Sequence, residues 1–260
     1  MNYETVELKY KDKAAVIKLN RPDRLNSFNM RLGVDLLKAL KSVHFNEDVL
    51  VVVITGEGDG FCGGGDVKDM HSAKYKSFFI RKLTRMIHRC VIEIRSMPKP
   101  VIAAVNGAAY GAGLSLALAC DIVIAAKKAR FGTAFINIGL APGCGTQFFT
   151  SIVGYHKACE YVLTGKTFTA DEALEMGLVN KVVLDDELEA QVDEYVNLFR
   201  CSPSFAVGKA KYLINKSMSN SMTKHLRLES RLAALSAEKE DFKEGVSAFI
   251  EKRKPVFKRR

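Results

Sequence analysis

The stretch AVNGAAYGAGLSLALACDIVIAA, residues 104–126, decides the fold. It begins inside an apolar run, PVIAAVNG, whose composition is typical of a strand that is buried on both faces. The segment GAGLSLALAC, residues 111–120, then predicts a short apolar helix. DIVIAA, residues 121–126, predicts a second buried strand. The stretch therefore indicates a strand–helix–strand unit of an α/β protein.

The same alternation extends to both sides of this stretch. Residues 6–19 alternate apolar and polar side chains around a turn at residues 11–13, which predicts a hairpin. VLVVVITG, residues 49–56, and LVNKVV, residues 178–183, predict further strands. Between them, TADE at residues 169–172 has the form of a capping box that begins a helix. From about residue 186 the pattern is helical, so we expect a core over residues 1–195 and a helical region over residues 196–260.

Composition and charge restrict the class of protein. With 260 residues, 48% of them apolar and 26% charged, the chain is long enough and apolar enough for one large folded domain. The net charge of +10 favours an anionic partner, such as nucleic acid, a membrane surface or a phosphate-bearing ligand.

The N-terminus and the cysteines indicate the location of the protein. Glu4 and Glu7 interrupt any signal-peptide pattern, and Asn106 and Asp121 interrupt the most apolar run, so we expect neither secretion nor a membrane span. The six cysteines show no CxxC pair and no metal-ligand spacing with the histidines. We therefore expect reduced thiols, a cytoplasmic protein and no metal or permanently bound cofactor.

Three short motifs suggest other chemistry but are incomplete. GEGDGF, residues 56–61, lacks the third glycine of a dinucleotide-binding turn. TGKT, residues 164–167, lacks the first glycine of a P-loop because Glu160 stands there. GLSLA, residues 113–117, approximates the turn that carries a nucleophilic serine, yet the sequence shows no base beside Ser115. Hydrolase chemistry therefore remains a minor alternative.

Two buried strands each end in a glycine-rich segment. The first segment is FCGGGDVKDM, residues 61–70, and the second lies within AVNGAAYGAG, residues 104–113. Glycine lets the chain turn sharply and lets a ligand approach the backbone amides. The second segment also begins a helix, whose first amides are unpaired and partly positive. Two such amides that face one carbonyl oxygen form an oxyanion hole, whereas tight helix–strand packing would require the same small residues.

Together, these segments resemble the crotonase family, also called the enoyl-CoA hydratase/isomerase family. The resemblance covers nearly the whole chain. It also includes LNRPDRLNSF (residues 19–28), RFGTAFINIGLAPGCGT (130–146), LTGKTFTADEALEMGLVNKVV (163–183) and EGVSAFIEKRKPVF (244–257).

The resemblance implies a fold, a substrate class and a set of binding residues. The fold is a spiral of β-β-α turns followed by a C-terminal helical region that forms a homotrimer or a dimer of trimers. The substrate is an acyl-CoA thioester, and its carbonyl oxygen binds between the amides of Gly65 and Ala112. Further CoA contacts are implied for Arg24, Asp66, Val67, Lys68 and Lys252, the last from a neighbouring subunit.

The chain departs from the family at the positions that carry acids. The two glutamates of the hydratases correspond to Ser115 and Phe135, and Ser115 is expected to border the hole because it follows Ala112 by three residues. The motifs GAGLSLALA and FGTAFINIGLAPG are most similar to the ring-epoxyphenylacetyl-CoA isomerases. In that subgroup an aspartate follows the proline, whereas here Gly143 follows Pro142.

Proton transfer therefore needs another group. The candidates by position are Asp66, Ser115, Asn137 and Cys144. Asp66 also fits a structural cap and Cys144 a small pocket-lining residue. We expect Phe135 to shape an apolar acyl pocket.

Three functional hypotheses follow. The first is an enzyme that acts on an acyl-CoA thioester, either a double-bond or ring isomerase or an enoyl-CoA hydratase. The second is an acyl-CoA-binding subunit without catalysis, which the missing acids suggest. The third is nucleic-acid binding, since residues 68–99 carry nine Lys or Arg against two acids and one crotonase relative binds RNA. Few aromatic residues are interleaved with these cations, so nucleic acid is the least expected partner.

Overall fold

The computed structural model describes residues 3–258. The chain begins with the predicted hairpin, in which β1 (Val6–Lys11) pairs antiparallel with β2 (Ala14–Leu19). The two residues between the strands, Asp12 and Lys13, have positive φ angles, as a tight hairpin turn requires. A 3-10 turn, Pro22–Arg24, and helix α1 (Met30–Phe45) follow.

The chain then passes three times from a strand of a large sheet to a short strand of a small sheet and on into helices. The first passage comprises β3 (Val51–Gly56), β4 (Gly60–Cys62), α2 (Val67–Ser72) and α3 (Lys76–Ser96). The second comprises β5 (Val101–Val105), β6 (Ala108–Tyr110) and α4 (Ala112–Ala119). The third comprises β7 (Ile122–Ala126), β8 (Arg130–Gly132), the 3-10 turn Ile136–Ile138, α5 (Thr146–Val153) and α6 (Tyr155–Thr164).

The remaining elements close the two sheets and add the C-terminal helices. They are β9 (Thr167–Thr169), α7 (Ala170–Glu175), β10 (Lys181–Val183), the 3-10 turn Asp185–Glu187, α8 (Leu188–Arg200), α9 (Ser204–Ser217), α10 (Met222–Ala237) and α11 (Glu240–Ile250). The predicted capping box is present, because Thr169 accepts from the Glu172 amide and the Glu172 carboxylate accepts from the Thr169 amide.

The two sheets confirm the expected α/β fold of successive β-β-α turns. The large sheet has the order β1-β2-β3-β5-β7-β10 and is parallel from β2 onward. The small sheet has the order β4-β6-β8-β9. Because parallel strands end at a common edge, the glycine segments after β4 and β6 are brought together there.

Helices cover both faces of the large sheet. Helices α1 and α3 pack on one face of the sheet, in a buried cluster that includes Leu36, Leu40 and Ile87. Leu188 and Val196 of α8 pack on the other face. The expected boundary between residues 195 and 196 falls inside α8, so the two-region division stays a prediction. Within residues 3–258, no helix is long and apolar enough to cross a membrane.

Candidate active site

An apolar cavity of about 320 Å³ lies where the two glycine segments meet. Its walls come from four parts of the chain: the segment before α2, the inner face of α3, the turn before α4, and the loop between β8 and α5. The lining residues are Phe28, Gly63, Gly64, Gly65, Val67, Met70, Ile80, Leu83, Thr84, Ile87, Tyr110, Gly111, Ala112, Ala134, Phe135, Asn137, Ile138, Leu140, Gly143 and Cys144.

The amide of Gly65 is left free by the way its segment pairs with Phe28. In this parallel bridge, the Phe28 amide donates to the Gly64 carbonyl at 2.6 Å, and the Asp66 amide donates to the Phe28 carbonyl at 3.0 Å. Both hydrogen bonds of the bridge therefore use the Gly64 carbonyl and the Asp66 amide, and neither uses the Gly65 amide. The N–H of Gly65 donates to no acceptor within the described residues, although its residue lines the cavity.

The amide of Ala112 is free because Ala112 is the first residue of α4. Gly111 precedes it with a φ of 50°, which glycine adopts without strain, and its own amide donates to the Gly132 carbonyl at 2.9 Å. The first N–H groups of a helix have no intrahelical acceptor and carry a partial positive charge. Gly65 and Ala112, whose amides have no acceptor among the described residues, both line the cavity.

Asp66 lies beside this wall but does not line the cavity. Its Oδ2 accepts from the Arg21 guanidinium at 2.8 Å, and its Oδ1 accepts from the amides of Lys68 and Asp69 at the start of α2. Burial alone would raise the pKa of the Asp66 carboxyl, but these hydrogen bonds and the Arg21 charge lower it. Asp66 therefore caps α2 and anchors the glycine segment, which matches the structural interpretation of this residue.

Ser115 does not line this cavity but an adjoining smaller pocket, which it shares with Gly111, Phe135 and Cys144, so the expectation that it borders the hole stays a prediction. Its side chain is only 3% exposed, and its Oγ lies 2.9 Å from the Gly111 carbonyl and 3.0 Å from the Cys144 carbonyl. The hydroxyl points toward the loop before α5, where a Cβ on Gly145 would come within 2.3 Å of it. Spacing along a helix placed Ser115 beside Ala112 but did not give the direction of its side chain.

The other two positions that carry acids in the family lie on the cavity wall. Phe135 contributes its ring, as expected of an acyl-pocket residue. Gly143 lies against α3, because a Cβ there would come within 2.8 Å of the Thr84 methyl group. The imidazole Nε2 of His88 lies 2.7 Å from the Gly143 carbonyl and fixes this part of the loop.

Cys144 is half-buried on the same wall. Burial raises the pKa of its thiol, with Ser115 and the Gly145 amide acting in the opposite direction. The thiol is therefore protonated at neutral pH. Asn137 also lines the cavity, and its side-chain amide donates to the Gly165 carbonyl at 3.3 Å.

The expected CoA-binding residues are distributed around the cavity. Val67 lines it and is half exposed, and Lys68 is exposed in the first turn of α2. Arg24 is exposed on the first 3-10 turn. Lys252 is exposed in the turn after α11, with a φ of 55°. Among these four residues only Val67 touches the cavity.

The wall that α3 provides was not predicted from the sequence. Ile80, Leu83, Thr84 and Ile87 line the cavity with helical spacing. That spacing was the available signal, but the high charge of the segment drew attention to its outer face. Tyr110, at the end of β6, was also missed.

The cavity is uncharged. Within the described part of the chain, no Asp, Glu, His, Lys or Arg lines it. The side chains on the wall that hold an exchangeable hydroxyl or thiol proton are Thr84, Tyr110 and Cys144, and Thr84 already donates to the Ile80 carbonyl at 2.9 Å. The arrangement can stabilise negative charge on a carbonyl oxygen, but it offers no carboxylate as base.

Comparison with known proteins assigns the chain to a family. Residues 9–260 match the model of the enoyl-CoA hydratase/isomerase family. The chain belongs to this family. It is 38% identical to the 1,2-epoxyphenylacetyl-CoA isomerase of Escherichia coli, over 92% of each chain, and 35% identical to the crotonyl-CoA hydratase of Syntrophomonas wolfei, over 99% of each.

Solved structures of the enoyl-CoA hydratase/isomerase family share the fold. The crystal structure of an enoyl-CoA hydratase from Bacillus anthracis superposes with a TM-score of 0.94 at 32% identity, covering 99% of this chain and all of that one. The family resemblance in the sequence is therefore confirmed. The chain therefore belongs to a family of acyl-CoA enzymes that includes both hydratases and isomerases.

Proposed function

We propose that this protein isomerises an acyl-CoA thioester with an apolar acyl group, through an enolate held by the amides of Gly65 and Ala112. One observation carries the proposal: two amides without protein acceptors line an apolar cavity that no carboxylate enters. The similarity to an epoxyphenylacetyl-CoA isomerase supports the same reaction class.

The amides supply the electrostatic part of the catalysis. Negative charge develops on the thioester oxygen as the enolate forms, and each backbone donor at that oxygen is worth about 2.7–4 kcal/mol in comparable sites. The apolar wall strengthens these hydrogen bonds because it excludes water. Both donors are backbone groups, one in the β-bridge with Phe28 and one at the start of α4, so neither has to move as the enolate forms.

The missing carboxylates favour isomerisation over hydration. Hydration needs one group to activate a water molecule and another to deliver a proton to carbon, whereas an isomerisation can proceed with one group that gives a proton and takes one back. Hydratase activity is therefore the less favoured alternative, although several relatives carry that name.

We assign the proton transfer to Cys144. Cys144 lines the cavity, and burial raises the pKa of its thiol, so the thiolate that forms there is a strong base and the thiol a proton donor for the second step. The thiolate form of Cys144 takes the α-proton as the enolate forms, and the resulting thiol gives that proton to another carbon of the substrate, so the enzyme is unchanged at the end. Asp66 and Ser115 are already bonded elsewhere and support the site from outside.

The C-terminal helices complete the proposal as the oligomer interface. Phe249 and Ile250 of α11 and Met222 of α10 are at least 73% exposed. Phe205, Phe242 and Phe257 line an apolar groove of about 440 Å³ in the same region. Burial of this surface in a homotrimer would bring Lys252 of one subunit toward the CoA phosphates of another, beside Arg24 and Lys68.

A panel of CoA thioesters tests the reaction. Crotonyl, longer 2- and 3-enoyl, cyclic dienoyl and aryl-acetyl esters are incubated in D₂O and in H₂¹⁸O and analysed by mass spectrometry. We expect deuterium at the α-carbon without ¹⁸O in the product. Incorporation of ¹⁸O would overturn the isomerase assignment in favour of hydration. No label in any ester that binds would establish the non-catalytic acyl-CoA-binding subunit, which the uncharged cavity also suits.

A further inference from the structure

The outer face of α3 carries an unusual concentration of positive charge. Residues 74–89 contain six Lys or Arg and no Asp or Glu. All six are exposed, and none forms an ion pair within residues 3–258. We call this surface the basic face; it consists of Lys76, Arg81, Lys82, Arg85 and Arg89 of α3 and of Lys74, which lies two residues before the helix. Elsewhere, cations such as Arg31 and Lys243 have carboxylate partners. The basic face is therefore suited to an anionic surface that is absent from the isolated chain.

Apolar side chains stand at both ends of this face. Along α3, Phe78, Lys82, Arg85, Arg89 and Ile92 recur at intervals of four and three residues, which places them in one stripe. Phe78 is 58% exposed and Ile92 64% exposed. From Phe78 to Ile92 the stripe spans about 21 Å of the helix axis, at 1.5 Å per residue. Three cations in a row, Lys82, Arg85 and Arg89, with an apolar side chain at each end of the row fit a flat anionic surface that has an apolar layer beneath it.

We propose that the basic face docks this protein on the anionic surface of a phospholipid bilayer. Lipid phosphates lie in the headgroup plane, where clusters of four to eight Lys or Arg bind, and aromatic side chains settle at the same depth. The binding is peripheral and needs no membrane-spanning helix.

Nucleic acid fits the same charge less well. Sequence-tolerant binding of single strands needs aromatic ring faces on which bases stack. Here Lys82 Nζ lies 4.6 Å from the ring centroid of Phe78, and Lys74 Nζ lies 5.5 Å from that of Tyr75. A cation already lies over each of these two rings, which reduces the ring surface that is free for base stacking.

A second copy of the chain does not fit either. A symmetric contact through this face would place six cations against six identical cations, and like charges at an interface are repelled. The oligomer that we propose uses the C-terminal helices instead, so the basic face stays free in it.

The position of the basic face on α3 links docking to catalysis, an inference that rests on the proposed function. The inner side of α3 lines the acyl cavity through Ile80, Leu83 and Ile87. A docked molecule therefore holds its acyl cavity about one helix diameter, 10 Å, from the lipid. Thioesters with long acyl chains are amphiphiles that partition into such a surface, so they are the substrates that docking would deliver.

Vesicle sedimentation tests the docking without any turnover, so its outcome is independent of the proposed reaction. The probes are vesicles of phosphatidylcholine alone and of phosphatidylcholine mixed with phosphatidylglycerol. We expect the protein to sediment with the mixed vesicles only, and to be released by salt. The R85E/R89E variant should bind at least about 25-fold more weakly, since each cation near the surface contributes about fivefold.

A matched variant separates the face from net charge. K38E/K41E changes the net charge equally on exposed residues of α1 and should bind as the parent protein does. Circular dichroism confirms that both variants fold. The proposal is overturned if the parent protein does not bind the mixed vesicles at low salt, or if both variants lose binding equally. It is also overturned if an RNA probe binds more tightly than the vesicles and depends on Arg85 and Arg89.

Discussion

The hydroxyl oxygen of Ser115 lies 3.0 Å from the carbonyl oxygen of Cys144. This contact ties the first turn of α4, which presents the Ala112 amide, to the loop that closes the acyl cavity. A position that carries a glutamate in hydratases of the family therefore serves here to hold two parts of the site together.

Replacing Ser115 tests this interpretation. Ser115→Ala leaves the Cys144 carbonyl without its partner, so the free energy of unfolding should fall by about 1 kcal/mol in urea titrations. Ser115→Glu should be more harmful, because a carboxylate would be buried there without a partner, and it should not create crotonyl-CoA hydratase activity. Ser72→Ala, which removes an exposed hydroxyl bonded to the Lys68 carbonyl, is the control and should be almost neutral. A stable, active Ser115→Glu hydratase would refute the structural role.

The ion pair of Asp66 with Arg21 predicts a pH-dependent loss of stability. Asp66→Asn keeps an oxygen that can cap α2 but leaves a largely buried Arg21 unpaired, so it should cost about 3 kcal/mol at neutral pH. The lowered pKa of Asp66 means that its contribution is complete above the ordinary value of about 3.9 and is lost as the pH falls below it. Urea unfolding should show a smaller difference between the two proteins near pH 3 than at neutral pH; a constant difference would contradict the assignment.

Cys144 should differ from the exposed cysteine in reactivity. Iodoacetamide should label Cys201 before Cys144 at neutral pH, since burial raises the pKa of the Cys144 thiol. Labelling of Cys144 should accelerate at higher pH and slow when a CoA thioester is bound. In activity assays Cys144→Ala should lower kcat about 100-fold or more, as expected for loss of the proton carrier. An unchanged kcat would leave Cys144 as a lining residue only.

Gly113 tests the close packing that places the Ala112 amide. A Cβ at this position would lie 1.9 Å from the Cys62 carbonyl oxygen, which is backbone and cannot move away cheaply. Gly113→Ala should therefore destabilise the protein by about 3 kcal/mol in thermal or urea unfolding. Gly139→Ala is the matched control: its φ of 68° costs about 1 kcal/mol, but no atom lies within 4 Å of the added carbon. Equal effects of the two changes would contradict the packing argument.

Much of the fold could be predicted because the longer strands are continuous apolar runs, without alternating polar residues. VLVVVITG and PVIAAVNG are apolar over their whole length, as buried strands must be, and both lie in the large sheet. The small sheet was not predicted. Its strands, such as β4 and β6, have three residues each, too few for any periodicity to develop.

Only the backbone part of the candidate site could be predicted from the sequence. Glycine composition indicated where free amides would occur, and Gly65 and Ala112 both line the cavity. Side-chain partners are a different matter, because they join distant parts of the chain. Arg21 reaches Asp66 across 45 residues, and His88 reaches Gly143 across 55. No local pattern encodes such pairs.

The most direct test of the account is the rate of α-carbon deuteration by an Ala112→Pro variant. Proline removes the N–H that we assign to the oxyanion hole, and as the first residue of a helix it breaks no intrahelical hydrogen bond. Ala112→Gly, which keeps the N–H, is the control.

With the thioester that the panel identifies, we expect kcat to fall by about 10²–10³-fold in Ala112→Pro and by much less in Ala112→Gly, with both variants folded by circular dichroism. A folded Ala112→Pro enzyme that deuterates the α-carbon at the parent rate would contradict the enolate mechanism.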